Sequence, residues 1–252
     1  MRILTAAVAV PLVVLLTVFA PDAIFAATVA IVSMLAAEEF FSLGVKNGIG
    51  RPGRWFLLAV GFVCMSALGG PASVLSASVF AAISLMIIEM LTASVKDALG
   101  RVAMGLGSIL YCPITLGFII FMPRRQVLLL FVIIWIGDSA AYYCGRRLGK
   151  RALAPSLSPK KTVEGAIAGF IGSVAAGVIG GRWLLGETRL DLIWISAVTA
   201  IAGQFGDLAE SMLKRSAGVK DSASVLPGHG GILDRLDSLF FATPVFYWLL
   251  IP

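Results

Sequence analysis

The chain has 252 residues, of which 59% are hydrophobic and 13% are charged, with a formal net charge of +6. Its mean hydropathy is +0.96, and several uncharged runs reach the roughly 20 residues that a helix needs to cross a bilayer. These values exclude an ordinary soluble domain. They indicate an all-α polytopic membrane protein, organised as a single integral membrane domain over residues 1–252.

Nine apolar segments predict nine membrane spans. Pro21, the Gly69-Gly70-Pro71 run and Pro123 mark short connections between them. The first segment could also be a signal peptide, but Pro21 follows the best cleavage residue and a second apolar run starts at once, so we expect a retained helix. The predicted spans are 3–20, 23–37, 55–70, 72–91, 102–122, 126–144, 163–185, 190–208 and 238–251.

The basic residues predict the orientation of these spans. With the N-terminus in the cytoplasm, sixteen of the 20 Lys and Arg residues fall on the cytoplasmic side, in agreement with the positive-inside rule. Only Arg124, Arg125, Arg182 and Arg189 fall on the other side. A basic face of this kind also attracts anionic lipid headgroups, so a specific anion site needs further evidence.

A polar segment, residues 137–165, joins the sixth and seventh spans. Asp138 precedes six basic residues, and the stretch SPKKTVEG resembles a helix start with Ser158 as N-cap. Lys160 and Lys161 would then oppose the helix dipole, and a bound phosphate would resolve that conflict. The alternative is that both lysines are topology signals at a solvated helix end. In the seventh span, Gly165 with Gly169, or Gly177 with Gly181, predicts close helix packing.

Acidic residues cluster near the end of the chain. If the eighth span continues as a helix, Asp207, Ser211 and Lys214 share one face, although Asp207 and Lys214 could instead be solvated helix-end charges. Asp234 and Asp237 are three apart, and Asp221 lies between the two regions. Four carboxylates near one membrane interface repel one another unless cations neutralise them. Oxygen ligands suit Mg²⁺ or Mn²⁺ better than zinc.

His229 is the only histidine of the chain and is flanked by glycines. It is either a structural hydrogen-bonding residue or a group that touches substrate. Gly230 and Gly231 allow the backbone to turn tightly or to approach a ligand. Carboxylates for metal and cations for phosphates on one side of a membrane bundle favour phosphoryl or nucleotidyl transfer, and no Walker or kinase motif is present.

The stretch Ser211 to Asp237 reads SMLKRSAGVKDSASVLPGHGGILDRLD. It resembles the signature of the phosphatidate cytidylyltransferase family: Ser-x-x-Lys-Arg, four residues, Lys-Asp, then Pro-x-His-Gly-Gly and Asp-Arg-x-Asp. The upstream DSAAYYCGRRLGK and SPKKTVEG resemble the family too, whereas the N-terminal helices of residues 1–100 are generic, so that residues 101–252 would carry the catalytic helices and loops.

The resemblance implies a membrane enzyme of phospholipid biosynthesis that joins CTP to phosphatidic acid, giving CDP-diacylglycerol and pyrophosphate. It implies Mg²⁺, with a second cation of unassigned identity. Asp207 and Asp234 rank first as metal ligands, with Asp221 and Asp237 either as further ligands or as residues that orient the ligands. The remaining site residues that it implies are Lys214, Arg215, Lys220 and Arg235 for phosphates, Lys160 and Lys161 for the β and γ groups, His229 as a positioning residue, and Ser211, Gly230, Gly231 and Asp138 around the nucleotide.

Three other functions stay open from the sequence. A transporter would place its acids at mid-membrane in two matched halves, which the sequence does not display. A CTP-using polyprenol kinase would transfer the γ-phosphoryl group instead, and an inactive relative would be a scaffold. The expected partners are CTP, phosphatidic acid and the bilayer, without nucleic acid, and a homodimer is left open. We expect a bacterial inner membrane with the site facing the cytoplasm, with an organelle membrane as the alternative.

Overall fold

The computed structural model describes residues 2–92, 95–186, 190–223 and 230–250. His229 lies outside the described residues. The described chain is helical apart from its connections and one two-stranded β-hairpin. It forms two compact units, Met1–Phe121 with Leu213–Leu236 (unit 1) and Met122–Met212 with Asp237–Pro252 (unit 2).

Unit 1 contains the N-terminal helices. Proline and glycine end or start several of them. Pro21 precedes the helix that begins at Asp22, and Gly70, at φ 89°, separates a short 3₁₀ turn from the helix that begins at Pro71. The predicted connections at these two positions are confirmed. The helices are α1 (Arg2–Phe19), α2 (Asp22–Lys46), α3 (Phe56–Met65), α4 (Pro71–Thr92), α5 (Val95–Ile109) and α6 (Thr115–Phe121).

The core of unit 1 lies between α2 and α3, which pack along each other. Phe41 and Phe56 are fully or almost fully buried there, with their ring centroids 6.4 Å apart. One π-helical turn, Leu110–Ile114, joins α5 to α6. Pro113 in that turn has no N–H to donate, so the regular helical ladder is interrupted while the apolar segment continues.

Unit 2 contains the longer helices and the hairpin. Pro123 precedes the helix that begins at Arg124, as the sequence predicts. The last two helices contribute residues to both units. The elements are α7 (Arg124–Leu148), β1 (Ala152–Ala154), β2 (Ser158–Thr162), α8 (Val163–Leu184), α9 (Asp191–Ser216) and α10 (Leu233–Leu250).

Glycines allow α8 to pack tightly against its neighbours. A Cβ on Gly165 would lie 2.8 Å from the carbonyl oxygen of Ala141, and one on Gly169 would lie 3.0 Å from that of Gly137. The predicted close packing through Gly165 and Gly169 is therefore confirmed, and α7 is the partner helix.

The predicted helix start in SPKKTVEG is wrong by about one turn. Residues 158–162 form strand β2, antiparallel to β1, and α8 begins at Val163. Thr162 is the N-cap, because its hydroxyl oxygen accepts a hydrogen bond from the N–H of Gly165 at 3.1 Å. Lys160 and Lys161 consequently lie on the strand before the helix and not in its first turn.

Six of the described helical segments are long and apolar enough to cross a membrane. The predicted all-α polytopic membrane fold is confirmed. Two of the other predicted spans match shorter apolar helices, Ala7–Phe19 and Phe56–Gly69. The predicted span at 238–251 overlaps α10, whose first turns carry Asp234, Arg235 and Asp237. The count of nine spans and the cytoplasmic N-terminus stay predictions.

Candidate active site

Three carboxylates of unit 2 meet where α9 and α10 approach each other. Asp207 and Glu210 lie three residues apart on α9 and therefore share a face, and Asp237 comes from α10. One oxygen from each lies within 4.8 Å of the others. Glu210 is 0% exposed. We call these three residues the acidic cluster.

A glycine on α9 makes this approach possible. A Cβ on Gly206 would lie only 2.4 Å from the carbonyl oxygen of Asp237, and the next atom on that residue is also backbone. Backbone cannot rotate away as a side chain can, so any larger residue would push α10 from α9. Gly206 thus allows Asp207, its neighbour in the chain, to come close to Asp237.

The acidic cluster fits a hard divalent cation. Its three donors are carboxylate oxygens, the ligands that Mg²⁺ and Mn²⁺ prefer. Ionised carboxylates at this separation repel one another unless positive charge is nearby. Lys161 supplies one such positive charge by forming an ion pair with Asp207.

A cavity of about 580 Å³ adjoins Asp207 within unit 2. Helices α7, α8 and α9 and both strands of the hairpin supply its walls. Its charged lining residues are Asp138, Arg146, Lys160, Lys161 and Asp207. Three cationic side chains beside an acidic cluster have the charges that suit a polyanion paired with a divalent cation.

The lysines are held in place by contacts around the hairpin. The carboxylate of Glu164, in the first turn of α8, accepts hydrogen bonds from the backbone N–H groups of Lys150 at 3.0 Å and Arg151 at 3.3 Å. The N–H of Val163 donates to the carbonyl of Arg151 at 2.9 Å. These bonds tie the segment after α7 to the start of α8 and so fix the strand that carries Lys160 and Lys161.

Comparison with known proteins decides the family. A model of the cytidylyltransferase family matches residues 1–251. The chain belongs to the cytidylyltransferase family.

Some relatives of the chain match most of its length, and others match about half of it. A protein of Staphylococcus haemolyticus named phosphatidate cytidylyltransferase is 34% identical over 235 residues, which cover 88% of this chain and 87% of that protein. A protein of the same name from Staphylococcus aureus strain COL is 33% identical, with the same coverage. One from Bacillus subtilis is 47% identical over 122 residues, or 47% of this chain and 45% of that protein.

Other residues that the sequence predicts for the site form a second group, within unit 1. The ammonium group of Lys214 lies 2.5 Å from Oδ1 of Asp234, and both side chains are largely buried. Oδ2 of Asp234 accepts hydrogen bonds from the backbone N–H groups of Ser222 at 3.0 Å and Gly231 at 2.8 Å. Asp234, predicted as a leading metal ligand, is thus held by Lys214 and by backbone donors in unit 1, whereas the acidic cluster belongs to unit 2.

The remaining predicted residues differ in exposure. Arg215, Lys220, Asp221 and Arg235 are exposed, and Arg215 donates to the carbonyl of Val219 at 2.8 Å. Ser211 is buried on α9. This helix continues to Ser216, so Asp207, Ser211 and Lys214 lie on one helix as predicted. Gly230 has a φ of 76°, a value that glycine adopts without strain. The functions of all these residues stay predictions.

Glu210 is the residue of the acidic cluster that sequence reasoning missed. Its signal was present, because it follows Asp207 by three residues and a helical face repeats at three and four. A buried acid in an apolar protein is itself a functional candidate.

Proposed function

We propose that this chain is a CTP:phosphatidate cytidylyltransferase that makes CDP-diacylglycerol and pyrophosphate for phospholipid biosynthesis. The observation that carries the proposal is the acidic cluster beside a cavity with Arg146, Lys160 and Lys161 on its walls. A nucleoside triphosphate with a divalent cation needs both kinds of group. The names of the bacterial relatives supply the nucleotide and the lipid.

In the proposed reaction, an oxygen of the lipid phosphate forms a bond to the α-phosphorus of CTP. The bond from that phosphorus to the bridging oxygen breaks, and pyrophosphate leaves with the electron pair. The lipid phosphate is already anionic near neutral pH, so no strong general base is needed. We therefore assign His229 to positioning and not to proton abstraction.

The side chains of this chain bind and orient the reactants. Asp207, Glu210 and Asp237 would hold Mg²⁺, with Asp221 and Asp234 kept as candidate ligands for the second cation on grounds of sequence. A bound Mg²⁺ offsets negative charge on phosphate oxygens. Lys160, Lys161 and Arg146 would bind the phosphates of CTP, and Lys161 would keep a positive charge next to Asp207 throughout.

We also propose that the protein lies in a bacterial inner membrane, with the site on the cytoplasmic side where CTP is available. The acyl chains of the substrate would stay in the bilayer. The candidate spans and the bias of basic residues support this arrangement. A homodimer is compatible with the proposal and is not needed by it.

Radiolabelled CTP tests the function directly. The protein, purified in detergent, is given phosphatidic acid, Mg²⁺ and CTP labelled in either the α- or the γ-phosphate. We expect the α-label in the lipid fraction and the γ-label in pyrophosphate.

The same experiment separates the alternatives. A γ-label in the lipid fraction would identify a lipid kinase, and no label in lipid with any combination of substrates would contradict both enzymes. Reactions without phosphatidic acid, or with EDTA in place of Mg²⁺, are the matched controls and should give no labelled lipid.

A further inference from the structure

A buried acid on α2 contacts the start of α10 within unit 1. Glu39 is only 4% exposed. Its Oε1 accepts a hydrogen bond from the backbone N–H of Ile232 at 2.8 Å, and its Oε2 accepts one from the N–H of Leu233 at 2.9 Å. The hydroxyl group of Ser222 lies 2.7 Å from the same Oε2. A buried carboxylate is costly, and these donors compensate it.

The contact acts as a helix cap that is supplied from a distant part of the chain. Helix α10 begins at Leu233, and the first N–H groups of any helix have no partner inside the helix. Capping groups normally come from the residue just before the helix. Here the carboxylate comes from Glu39, far earlier in the chain, and it also meets the positive end of the helix dipole. Glu39 therefore fixes where α10 starts relative to α2.

Ser222 connects Glu39 to Asp234. Its hydroxyl oxygen lies 2.7 Å from Oε2 of Glu39 and 3.0 Å from Oδ2 of Asp234. A hydroxyl has one proton, so it donates to one carboxylate at a time. The backbone N–H of Ser222 donates to Oδ2 of Asp234 at 3.0 Å in either case. The position of Asp234 thus depends on the position of Ser222, which depends on Glu39.

The glycine pair of the signature fits the same arrangement. A Cβ on Gly231 would lie 2.0 Å from the hydroxyl oxygen of Ser222 and 2.1 Å from Oε2 of Glu39. A Cβ on Gly230 would lie 2.6 Å from Oδ2 of Asp234, at a φ of 76°. Only glycine leaves room for both carboxylates to reach this turn.

We propose that Glu39 is a positioning residue for cytidylyl transfer: through Ser222 and the first N–H groups of α10 it holds the Asp234–Lys214 pair in its working geometry. The inference rests on the proposed function, because it assumes that Asp234 and Lys214 serve that reaction. It assigns a role to a helix of the N-terminal hundred residues, which the signature does not cover.

Steady-state kinetics of two variants test the inference. Glu39→Gln keeps the size of the side chain but places an NH₂ group against donors, and Ser222→Ala removes only the connecting hydroxyl. For both variants, purified as folded monodisperse protein, we expect kcat to fall by between about 10- and 100-fold, the cost of a small misplacement at a distance from the chemistry. The KM for CTP should change by less than about threefold, since the cavity with Lys160 and Lys161 lies in unit 2.

The design distinguishes positioning from folding. Glu38→Gln is the matched control, because Glu38 is the neighbouring acid on α2 and pairs with Arg51 instead; it should keep the wild-type kcat. The double variant should lose less than the two single losses multiplied together, since both act through one connection. If Glu39→Gln does not fold, Ser222→Ala decides the question.

Two results would overturn the inference while leaving the function intact. One is wild-type kcat in Ser222→Ala together with wild-type kcat in any folded Glu39→Gln. The other is a fall in kcat and KM in Glu39→Gln or Ser222→Ala that the control Glu38→Gln shows to the same extent. Inactive wild-type protein, by contrast, would contradict the proposed function itself.

Discussion

Lys161 forms an ion pair with Asp207 and also lines the cavity of unit 2. If it binds a phosphate of CTP, Lys161→Gln removes a hydrogen bond between charged groups, which contributes about 1.5–3 kcal/mol. We expect kcat/KM for CTP to fall by about 10- to 100-fold at fixed Mg²⁺.

Lys150→Gln is the matched control for this variant, since Lys150 belongs to the same polar segment but does not line the cavity. It should change kcat/KM by less than about threefold. Equal losses in both variants would mean that general positive charge, and not Lys161 itself, attracts the nucleotide.

At the level of single residues, the sequence predicted the kinds of side chain at the site better than their partners. Asp207 and Asp237 lie close together, and both are among the carboxylates that the sequence predicts near one interface. Asp234 instead contacts Lys214, Ser222 and Gly231. Sequence spacing places Asp234 and Asp237 on one helix, but it contains no information about which neighbouring helix each one meets. The partners of Glu39 could not be predicted, because they are far away in the chain.

The contact between α9 and α10 depends on Gly206. Gly206→Ala would place a methyl group 2.4 Å from the carbonyl oxygen of Asp237, and overpacking of this kind costs about 1–3 kcal/mol. Because the same contact brings Asp237 to Asp207, we expect a lower melting temperature and at least a tenfold loss of turnover. Thermal unfolding and the labelled-CTP assay measure the two effects.

Gly203→Ala provides the comparison, because Gly203 lies one turn earlier on α9. A Cβ there would meet the end of the Ile134 side chain at 3.0 Å and the side chain of Ser238 at 3.6 Å. Ile134 can rotate away, so we expect a small change in both measurements. A Gly206→Ala variant as active as Gly203→Ala would argue that the approach of α9 to α10 is not required.

Among the elements, the long apolar helices were predictable, and the polar connection before α8 was not. Ser158-Pro159 has the composition of a helix start, but Thr162 provides a cap four residues later. Pairing of Ser158–Thr162 with Ala152–Ala154 keeps that stretch extended. Such pairing depends on a neighbouring strand, which local sequence preferences do not include.

For the whole molecule, hydropathy and the bias of basic residues were enough to predict an all-α polytopic membrane protein. The bilayer explains this success, because it requires long uncharged helices whose signal is strong in any sequence. The ends of the chain were harder to assign. Helix α10 mixes Asp234, Arg235 and Asp237 with an apolar stretch, so its hydropathy alone does not define a span.

The central claim is that Asp207, Glu210 and Asp237 together hold a divalent cation. Titration of the purified protein with Mn²⁺, followed by electron paramagnetic resonance of the free ion, measures this without any turnover. We predict one Mn²⁺ site, for which Mg²⁺ competes. The affinity for Mn²⁺ should fall by at least roughly tenfold in Asp207→Asn, Glu210→Gln and Asp237→Asn, since even residues outside the ligand set change metal affinity by that much. Asp191 lies at the start of α9, the helix of Asp207 and Glu210, and Asp191→Asn should bind Mn²⁺ as the wild type does. Unchanged Mn²⁺ affinity in all three variants would contradict the account.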